Sequence, residues 1–398
     1  MKGSGAPNQA PPDKVLVRGV NWLGDAVMTT PALCRLREHF PAAQISLLSP
    51  SWLAPIWEHH PAINSILEST PGESPLRVGR RLRLQKFDLA LVLPNSPRSA
   101  IETWLAGIPR RIGYARRWRN WFLTERIAPR GQAVSMRKRS AREIRQLSAE
   151  DPLLVAQGVT FEPAAHQVYE YLTLISALGG DPSPVPPKLV ITPSEAKAAE
   201  AKFHLTALAR AGHLLLGLNP GAEYGPAKRW PVERFASAAR AIHARTNAAF
   251  LIFGGQSDIS LAASLEAALR EPNPGAAKQS IPSLNLCGQT TLRELMALLT
   301  HCDMLLTNDT GPMHVAAALG TPVLAFFGST APGLTGPGLP GGAMHRLLQT
   351  PTPCAPCFRR VCPIDFRCMT GLSVERVADE TLRALTSQKT KTPVSPKC

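Results

Sequence analysis

The stretch KVLVRGVNWLGDAVMTTPALCRLREHFPAAQISLL, residues 14–48, contains the pattern that decides the fold. A short β-rich run at 14–18 leads into a glycine- and asparagine-containing loop, which is followed by apolar residues at helical spacing and a second β-rich run at 44–48. A strand, a helix and a second strand in this order form a β-α-β unit, whose two strands are parallel. The sequence therefore predicts an α/β protein built on parallel sheet.

The same alternation continues on both sides of a proline-rich segment. Residues 179–187, GGDPSPVPP, hold four prolines and two glycines, which excludes regular structure and predicts a linker. We expect an N-terminal domain over 14–178 and a C-terminal domain over 188–388, each Rossmann-like and doubly wound, with a cleft between them where ligands bind. The ends, 1–13 and 389–398, are predicted to be flexible tails.

Length and composition limit the class of protein. The 398 residues exceed the usual size of a single core, so two domains are the default. The net charge of +15 suits a nucleic acid, an anionic membrane surface or a phosphorylated substrate. No stretch reaches the ~18 apolar residues that span a bilayer, and the first residues lack a signal-peptide core. We therefore expect a cytoplasmic protein.

The loop after the first strand ends in Gly24 and Asp25. It lacks both the G-x-G-x-x-G pattern and the Lys-Ser/Thr pair of a P-loop, so neither nucleotide fingerprint is present. Asp25 has two interpretations, a cap of the following helix or a general base that projects from a strand end into the cleft.

Two loops of the second half carry polar clusters. In NPGAEYGPAKRWP, residues 219–231, Lys228 and Arg229 are placed at a helix N-terminus, where cations are unfavourable unless an anion such as a diphosphate binds; the alternative is an ordinary surface pair. In NDTGPMH, residues 308–314, Thr310 and His314 stand one helical turn apart and can face the same ligand. The alternative for this segment is an Asp/Thr cap with a buried histidine.

At this point the chain resembles a known family. GVNWLGDAVMTTPAL (19–33), PGAEYGPAKRWP (220–231) and NDTGPMHVAAALGTPVLAFFG (308–328) together look like the ADP-heptose:lipopolysaccharide heptosyltransferases of glycosyltransferase family 9, nearest to the heptosyltransferase II group. The resemblance is collinear from about Lys14 to the final helix. It implies a GT-B fold, in which the N-terminal domain holds the acceptor and the C-terminal domain holds the nucleotide sugar.

The resemblance also implies roles for single residues. Asp25 matches the catalytic base, Lys228 a contact to the donor phosphates, and Asp258 an acidic residue near the ribose, the last being a weak correspondence. The segment Asp309, Thr310, Gly311 and His314 matches the donor-binding motif, with Asp309 near the heptose and Thr310 and Gly311 near the diphosphate. Arg229 is grouped with Lys228 on its position alone.

The expected reaction is the inverting transfer of heptose from ADP-heptose to the heptose/Kdo inner core of lipopolysaccharide, with no cofactor required for catalysis. No Asp-x-Asp motif occurs in the sequence, which is consistent with a metal-independent mechanism. Heptosyltransferase I, or a related transferase for another nucleotide sugar, is the alternative within this class. From another class, the alternative is a non-catalytic protein that binds nucleotide sugar or nucleic acid.

Between Arg110 and Arg145 the chain is strongly basic, with Trp118, Trp121 and Phe122 interleaved. Such a stretch is typical of a nucleic-acid patch, of a solvated charge run, or of a surface that meets an anionic acceptor and membrane. We favour the third interpretation, with Arg116, Arg117 and Arg119 as its centre and no nucleic-acid partner. The protein is then expected to associate peripherally with the inner membrane and to use an acceptor of the Kdo-lipid A type.

Four of the eight cysteines form a compact cluster, Cys354-x₂-Cys357-x₄-Cys362-x₅-Cys368. Four thiolates in so short a loop can hold Zn²⁺ tetrahedrally, and reduced thiols, an iron–sulfur cluster and disulfides are the alternatives. We expect a local structural role, because the mechanism above does not need this loop. Cys34, Cys287 and Cys302 lie in apolar runs and are expected to be inert core residues.

Overall fold

The computed structural model describes residues 10–149, 159–210, 213–271 and 281–388. Of the two predicted tails, residues 1–9 and 389–398 lie outside these ranges. The chain divides into two compact units, each with its own parallel sheet. The described residues contain no helix whose length and hydropathy would suffice to cross a membrane.

The first unit is a six-stranded parallel sheet with strand order β3-β2-β1-β4-β5-β6. Every neighbouring pair of strands in it is parallel, which confirms the prediction made from residues 14–48. The central strand β1 is buried along most of its length, as expected when helices cover both faces of a sheet. Its strands are β1 (Lys14–Arg18), β2 (Gln44–Pro50), β3 (Ser65–Ser69), β4 (Leu89–Val92), β5 (Arg110–Tyr114) and β6 (Glu125–Ile127). Its helices are α1 (Leu23–His39), α2 (Pro75–Arg83), α3 (Pro97–Leu105) and α5 (Val168–Ala177), whereas α4 (Ala141–Ala149) belongs to the second unit.

The second unit repeats the arrangement, with strand order β12-β11-β10-β7-β8-β9. Counted within the unit, this is the doubly wound order 3-2-1-4-5-6, the same as in the first unit. Its strands are β7 (Leu215–Asn219), β8 (Ala249–Ile252), β9 (Ser283–Asn285), β10 (Met304–Asn308), β11 (Val323–Phe327) and β12 (Arg346–Gln349). Its helices are α6 (Pro193–Lys202), α7 (Leu205–Arg210), α8 (Val232–Thr246), α9 (Ile259–Arg270), α10 (Leu292–Thr300), α11 (Gly311–Ala318), α12 (Pro332–Thr335), α13 (Arg367–Thr370) and α14 (Val374–Gln388). Two doubly wound α/β units are the predicted fold class.

The division of the chain differs from the predicted one at a single segment. Among the described residues, 132–149 and 159–167 belong to the second unit, so the expected continuous N-terminal domain over 14–178 is interrupted, and Val168–Val185 returns to the first unit. The physical reason is packing, because Ile144 of α4 is buried against Cys354 and Cys357 in a small apolar cluster. Composition alone does not reveal this, since the segment is polar and basic.

Helix α2 is among the elements that the sequence did not predict. It contains arginines at most of its solvent-facing positions, and Ser74 caps it by accepting a hydrogen bond from the Arg77 N–H. Only Val78 and Leu82, four residues apart, give it a buried face together with Gly79. A Cβ on Gly79 would lie 2.5 Å from Leu105 Cβ, so glycine is needed where α2 packs on α3. The three cysteines expected in the core, at positions 34, 287 and 302, are all buried.

Candidate functional site

The predicted donor residues of the second unit follow the carboxyl ends of three adjacent strands, β10, β7 and β8, and Thr330, which was not predicted, follows a fourth, β11. β11, β10, β7 and β8 are neighbours in the sheet, and the chain reverses its winding between β10 and β7. Ligands of open parallel sheets bind at the carboxyl ends of strands at such a switch point. The loops after β7 and β10 carry Lys228 and Asp309, the pair at the centre of the site.

Lys228 and Asp309 form a largely buried ion pair. The Lys228 ammonium lies 2.6 Å from the Asp309 carboxylate, and the two side chains are 13% and 5% exposed. The same carboxylate oxygen accepts a 2.6 Å hydrogen bond from the Thr330 hydroxyl, which comes from the loop after β11. An ammonium has three donors, so Lys228 can keep Asp309 and still donate to an incoming anion.

Asn308, the last residue of β10, fixes the glycine- and proline-rich loop 220–230 against the sheet. Its amide group donates 2.8 Å to the carbonyl of Pro220, and its side-chain oxygen accepts from the Trp230 N–H at 2.9 Å. Both Asn308 and Trp230 are buried, so these bonds are shielded from water. The loop that carries Lys228 is therefore held at both of its ends by one side chain.

Lys228 and Arg229 do not lie at a helix N-terminus as predicted. Lys228 ends a short 3₁₀ turn, and α8 starts only at Val232, after Pro231 at the N-cap position. Pro226 begins the turn, and Arg229, Trp230 and Pro231 separate the turn from the helix. The positive charge at the site therefore comes from the side chains of this loop and from α11, and α8 does not supply it.

Arg229 faces Asp258 on the β8 side of the site. The guanidinium lies 3.5 Å from the Asp258 carboxylate, and it also donates 3.3 Å to the Ala222 carbonyl. Asp258 accepts the Gly255 N–H at 3.3 Å, and a Cβ on Gly221 would collide with its carboxylate. Asp258, whose sequence correspondence to the family is the weakest, therefore lies beside Arg229 in the structure.

Helix α11 begins next to the Lys228–Asp309 pair. Thr310 occupies its N-cap position in an extended conformation, and its side chain makes no capping hydrogen bond. Thr310 therefore stands at the N-cap position that the capping interpretation predicted, but its hydroxyl does not cap the helix. The N-terminus of α11, at Gly311, carries the partial positive charge that favours an anion.

His314 is buried on the first turn of α11, with 5% of its surface exposed. Burial lowers the pKa of His314 to about 4, against an opposing effect of the Asp309 carboxylate. The imidazole is therefore neutral at physiological pH. It can contact a ligand through a ring N–H or a lone pair, and it does not add a cation to the site.

In the first unit, Asp25 is the third residue of α1. The N-cap position belongs to Trp22, so Asp25 is not the cap residue. It is half-buried and lies after β1, at the switch point between β1 and β4. A carboxylate in the first turn is also favoured by the helix dipole.

A buried charge network lies beside the loop that leads to Asp25. The Arg18 guanidinium pairs with Glu102 at 2.9 Å and donates 2.6 Å to the Gly19 carbonyl and 3.2 Å to the Asn21 side chain. Glu102 is 1% exposed and also pairs with Arg98 at 2.8 Å. This network fixes the backbone of the loop, and neither Arg18 nor Glu102 was predicted as a site residue.

Only part of the basic stretch between Arg110 and Arg145 is exposed at the surface. Arg116 and Arg117 are exposed, as are Trp118 and Trp121, at 74% and 82%. Arg119 was predicted to belong to the same surface, and this is wrong because its side chain is fully buried, with Asn95 as a hydrogen-bond partner at 3.0 Å. Burial lowers the pKa of Arg119 to about 10, and the charge of Arg116 acts in the same direction.

The four clustered cysteines are free thiols, and three of them are buried. Burial raises the pKa of Cys368 to about 12, and the other three thiols of the cluster act in the same direction. In the described part of the chain, however, no three of these sulfur atoms come within 4.8 Å of one another. The four side chains thus share one neighbourhood without forming a closed tetrahedral site.

Comparison with known proteins supports one family. The profile of glycosyltransferase family 9 (heptosyltransferase) matches residues 75–142 and 129–366. The chain is 30% identical over 331 residues to lipopolysaccharide heptosyltransferase 2 of Escherichia coli K12, covering 81% of this chain and 85% of that protein. It is also 30% identical over 332 residues to lipooligosaccharide heptosyltransferase 2 of Haemophilus ducreyi, covering 81% and 86%.

Solved structures agree with this assignment. The structure of E. coli ADP-heptose lps heptosyltransferase II superposes with a TM-score of 0.71 at 26% identity, over 95% of this chain and 100% of that chain. The E. coli heptosyltransferase WaaC with ADP shares the fold, with a TM-score of 0.61 at 17% identity over 93% and 99%. These relatives bear out the predicted GT-B fold. The chain therefore belongs to glycosyltransferase family 9, the heptosyltransferases, and is a glycosyltransferase.

Proposed function

We propose that this glycosyltransferase transfers heptose from ADP-heptose to the heptose/Kdo inner core of lipopolysaccharide, with inversion and without a catalytic metal. The single observation that supports this most is the buried Lys228–Asp309 pair at the start of α11. It combines a cation, a helix N-terminus and a carboxylate at the switch point of a nucleotide-binding type of sheet.

The chemistry of a diphosphate leaving group fits these residues. When the sugar leaves, negative charge grows on the ADP phosphate, and groups already in place stabilise it at no further cost of reorganisation. Lys228, Arg229 and the N-terminus of α11, with the backbone N–H of Gly311, supply this positive potential. These are the charges that a divalent cation supplies in metal-dependent transferases, so the mechanism needs no metal.

Asp25 is proposed as the base. Inversion takes place in one in-line displacement, in which a base removes the proton of the acceptor hydroxyl while positive charge develops on the sugar ring. Asp25 is the carboxylate at the switch point of the first unit, in the first turn of α1, and the loop that leads into this helix is fixed by the Arg18–Glu102 network. Asp309 is proposed to lie near the heptose and Asp258 near the ribose.

The identity of the sugar and of the acceptor rests on the relatives. The E. coli and Haemophilus proteins are named as heptosyltransferases 2 of lipopolysaccharide and lipooligosaccharide. The position of the added heptose, and the choice between heptosyltransferases I and II, follow from the acceptor that the enzyme accepts. A different nucleotide sugar is the competing proposal.

The test is a transfer assay with purified full-length protein. The donors are ADP-heptose and UDP-glucose, and the acceptors are Kdo-lipid A with no heptose and with one heptose. We expect transfer from ADP-heptose only, faster to the acceptor that already carries a heptose, and unchanged by a brief chelator treatment. Transfer from UDP-glucose would refute the donor, and absence of transfer with both donors would support a binding protein.

We further propose that the enzyme acts in the cytoplasm at the inner membrane. The exposed side chains of Arg116, Arg117, Trp118 and Trp121 support this, since basic residues attract anionic leaflets and tryptophan favours the bilayer interface. The measurement is sedimentation with liposomes. Binding that needs anionic lipid and weakens with salt is expected, and equal binding to neutral vesicles would contradict it.

A structural zinc ion in the cysteine loop is also proposed, without a catalytic role. Zn–S bonds of about 2.3 Å require sulfur atoms about 3.8 Å apart, so the thiols must draw closer than they lie in this structure. Elemental analysis of protein purified without chelator tests the idea. One equivalent of zinc that is lost in Cys357→Ser is expected, and a metal content near zero would remove it.

A further inference from the structure

The loop that carries the cysteines also contacts the donor site, although the mechanism above gives it no task. One residue of this loop, Phe358, makes backbone hydrogen bonds to two separate donor-site loops. Its N–H donates 2.7 Å to the Ser329 carbonyl, next to Thr330. Its carbonyl accepts 2.7 Å from the Tyr224 hydroxyl, in the loop of Lys228.

Tyr224 in turn lies against the lysine. The Lys228 ammonium stands 4.9 Å from the centre of the Tyr224 ring, within the range of a cation–π contact. The ammonium thus contacts both the ring and the Asp309 carboxylate, the latter at 2.6 Å. Because a lysine side chain is long and flexible, such a pair of contacts selects one of its many rotamers.

Neighbouring contacts join the same two loops. The Ala227 N–H donates 3.0 Å to the Arg360 carbonyl, and the Arg360 side chain donates 2.6 Å to the Tyr224 carbonyl. Gly225 has a φ of 140°, and a Cβ there would lie 2.6 Å from the Arg360 carbonyl oxygen. Only glycine permits so close an approach in that conformation.

Phe358 adopts a conformation that carries strain. Its φ is 53°, in the left-handed region that is uncommon for a bulky residue. Such a conformation persists only where surrounding contacts hold it, and here both backbone groups are bonded to donor-site loops while the side chain packs beside Ala331 and Leu334. The two backbone hydrogen bonds therefore depend on this conformation of Phe358.

We propose that Tyr224 is a positioning residue of the donor site, and that the cysteine-rich loop holds it there through the backbone carbonyl of Phe358. Tyr224 then acts through Lys228 on the diphosphate. The inference rests on the proposed role of Lys228 in donor binding, and it gives the cysteine loop a part in donor affinity that the sequence did not predict.

The experiment measures the Kd of ADP and of adenosine, by calorimetry, for the full-length protein and its variants. Tyr224→Leu removes the ring, and loss of a cation–π contact of ordinary strength should raise the Kd of ADP about 3- to 10-fold. Adenosine lacks the phosphates that Lys228 would bind, so its Kd should stay within about 2-fold. Tyr224→Phe keeps the ring and loses the bond to Phe358, and should give a smaller rise.

The decisive comparison repeats Tyr224→Leu in a Lys228→Met background. If the ring acts through the ammonium, Tyr224→Leu has no further effect there, which is the non-additivity expected of contacting residues. An equal rise in both backgrounds, or equal losses for ADP and adenosine, would overturn the proposal. If Lys228→Met alone leaves the Kd of ADP unchanged, the proposed function of Lys228 fails instead.

Tyr169→Phe and Tyr169→Leu are the matched controls. Tyr169 is also half-buried and carries a cation over its ring, the Arg130 guanidinium at 5.9 Å, but it belongs to the first unit. Its variants should leave the Kd of ADP unchanged. Thermal unfolding of each variant distinguishes a loss of positioning from a loss of folded protein.

Discussion

Substituting Lys228 by methionine removes the charge at the centre of the proposed donor site. Methionine keeps an unbranched side chain of similar length, so packing against the Tyr224 ring is preserved. The change leaves the Asp309 carboxylate, 5% exposed, without its counter-charge and with the Thr330 hydroxyl, at 2.6 Å, still donating to it. The variant should therefore bind ADP more weakly for two reasons, a lost donor and an uncompensated negative charge.

The magnitude follows from both effects. A hydrogen bond to a charged group contributes about 1.5–3 kcal/mol. The carboxylate at roughly 5 Å from a phosphate adds a repulsion of about 3 kcal/mol at an effective dielectric constant of about 20, which solvent and salt reduce. Because solvent and salt screen most of this repulsion, we take only the hydrogen-bond contribution, about 2 kcal/mol, and the Kd of ADP should then rise about 30-fold.

The assay is calorimetric titration with ADP at low and at high salt. Lys202→Met is the control, because Lys202 forms an ion pair of the same 2.6 Å length with Glu294 in the same unit but is 55% exposed. That variant should bind ADP like the wild type. In the double variant Lys228→Met/Asp309→Asn the repulsion is absent, so part of the lost affinity should return.

A folded Lys228→Met protein that binds ADP within about 2-fold of the wild type would refute the assignment. The assignment would also be refuted if Asp309→Asn raised the Kd of ADP by the same factor in the Lys228→Met protein as in the wild type. The two charges would then act independently.

Three further predictions concern stability and the surface. Glu102→Gln leaves the buried Arg18 without a counter-charge, so the free energy of unfolding should fall by about 2–4 kcal/mol, measured by urea titration. Because burial lowers the pKa of His314 to about 4, the unfolded chain takes up a proton near pH 6.5 while the folded one does not, and stability falls as the pH drops from 7 to 5. His314→Gln should reduce this fall by about 2 kcal/mol. Arg117→Ala should weaken liposome binding about 3-fold or more, whereas Arg119→Met, at a buried position, should leave it unchanged.

Each of these has a control and a contradicting result. Glu38→Gln removes a 43%-exposed partner of Arg35 and should cost no more than about 1 kcal/mol; an equal loss at Glu102 would mean that its network is not effectively buried. A pH dependence identical with and without the imidazole would show that His314 titrates normally. Weaker membrane binding by the Arg119 variant would place that side chain at the surface after all.

Much of the fold could be predicted because both sheets are fully parallel and covered. Their strands, such as β4 and β11, are continuous apolar runs bounded by loops, and the parallel pairing follows from repeated β-α-β units. What could not be predicted was α2, whose buried face consists of very few residues, and the placement of 132–149 and 159–167 in the second unit. That placement depends on contacts between α4 and the cysteine loop, which are distant in sequence.

The candidate site, too, could be predicted only in part. Lys228, Asp309 and Thr310 stand in short motifs at strand ends, so their clustering followed from topology. Thr330 and Tyr224 were missed because a single hydroxyl or ring in a loop has no periodic signal, and its role exists only through a partner far along the chain.

Arg119 was misassigned because charge normally indicates exposure, whereas here the guanidinium packs on Gly113. A Cβ at Gly113 would lie 2.8 Å from an Arg119 nitrogen, so the arginine occupies space that glycine leaves open.

The central claim is that Asp25 acts as the base in a single displacement on a donor held by the second unit. The direct test is the single-turnover rate of heptose transfer from ADP-heptose to heptosylated Kdo-lipid A, for the wild type and for Asp25→Asn. We predict a rate at least about 100-fold lower in the variant, with the Kd of ADP unchanged within about 2-fold. A variant that transfers heptose at the wild-type rate would contradict the account.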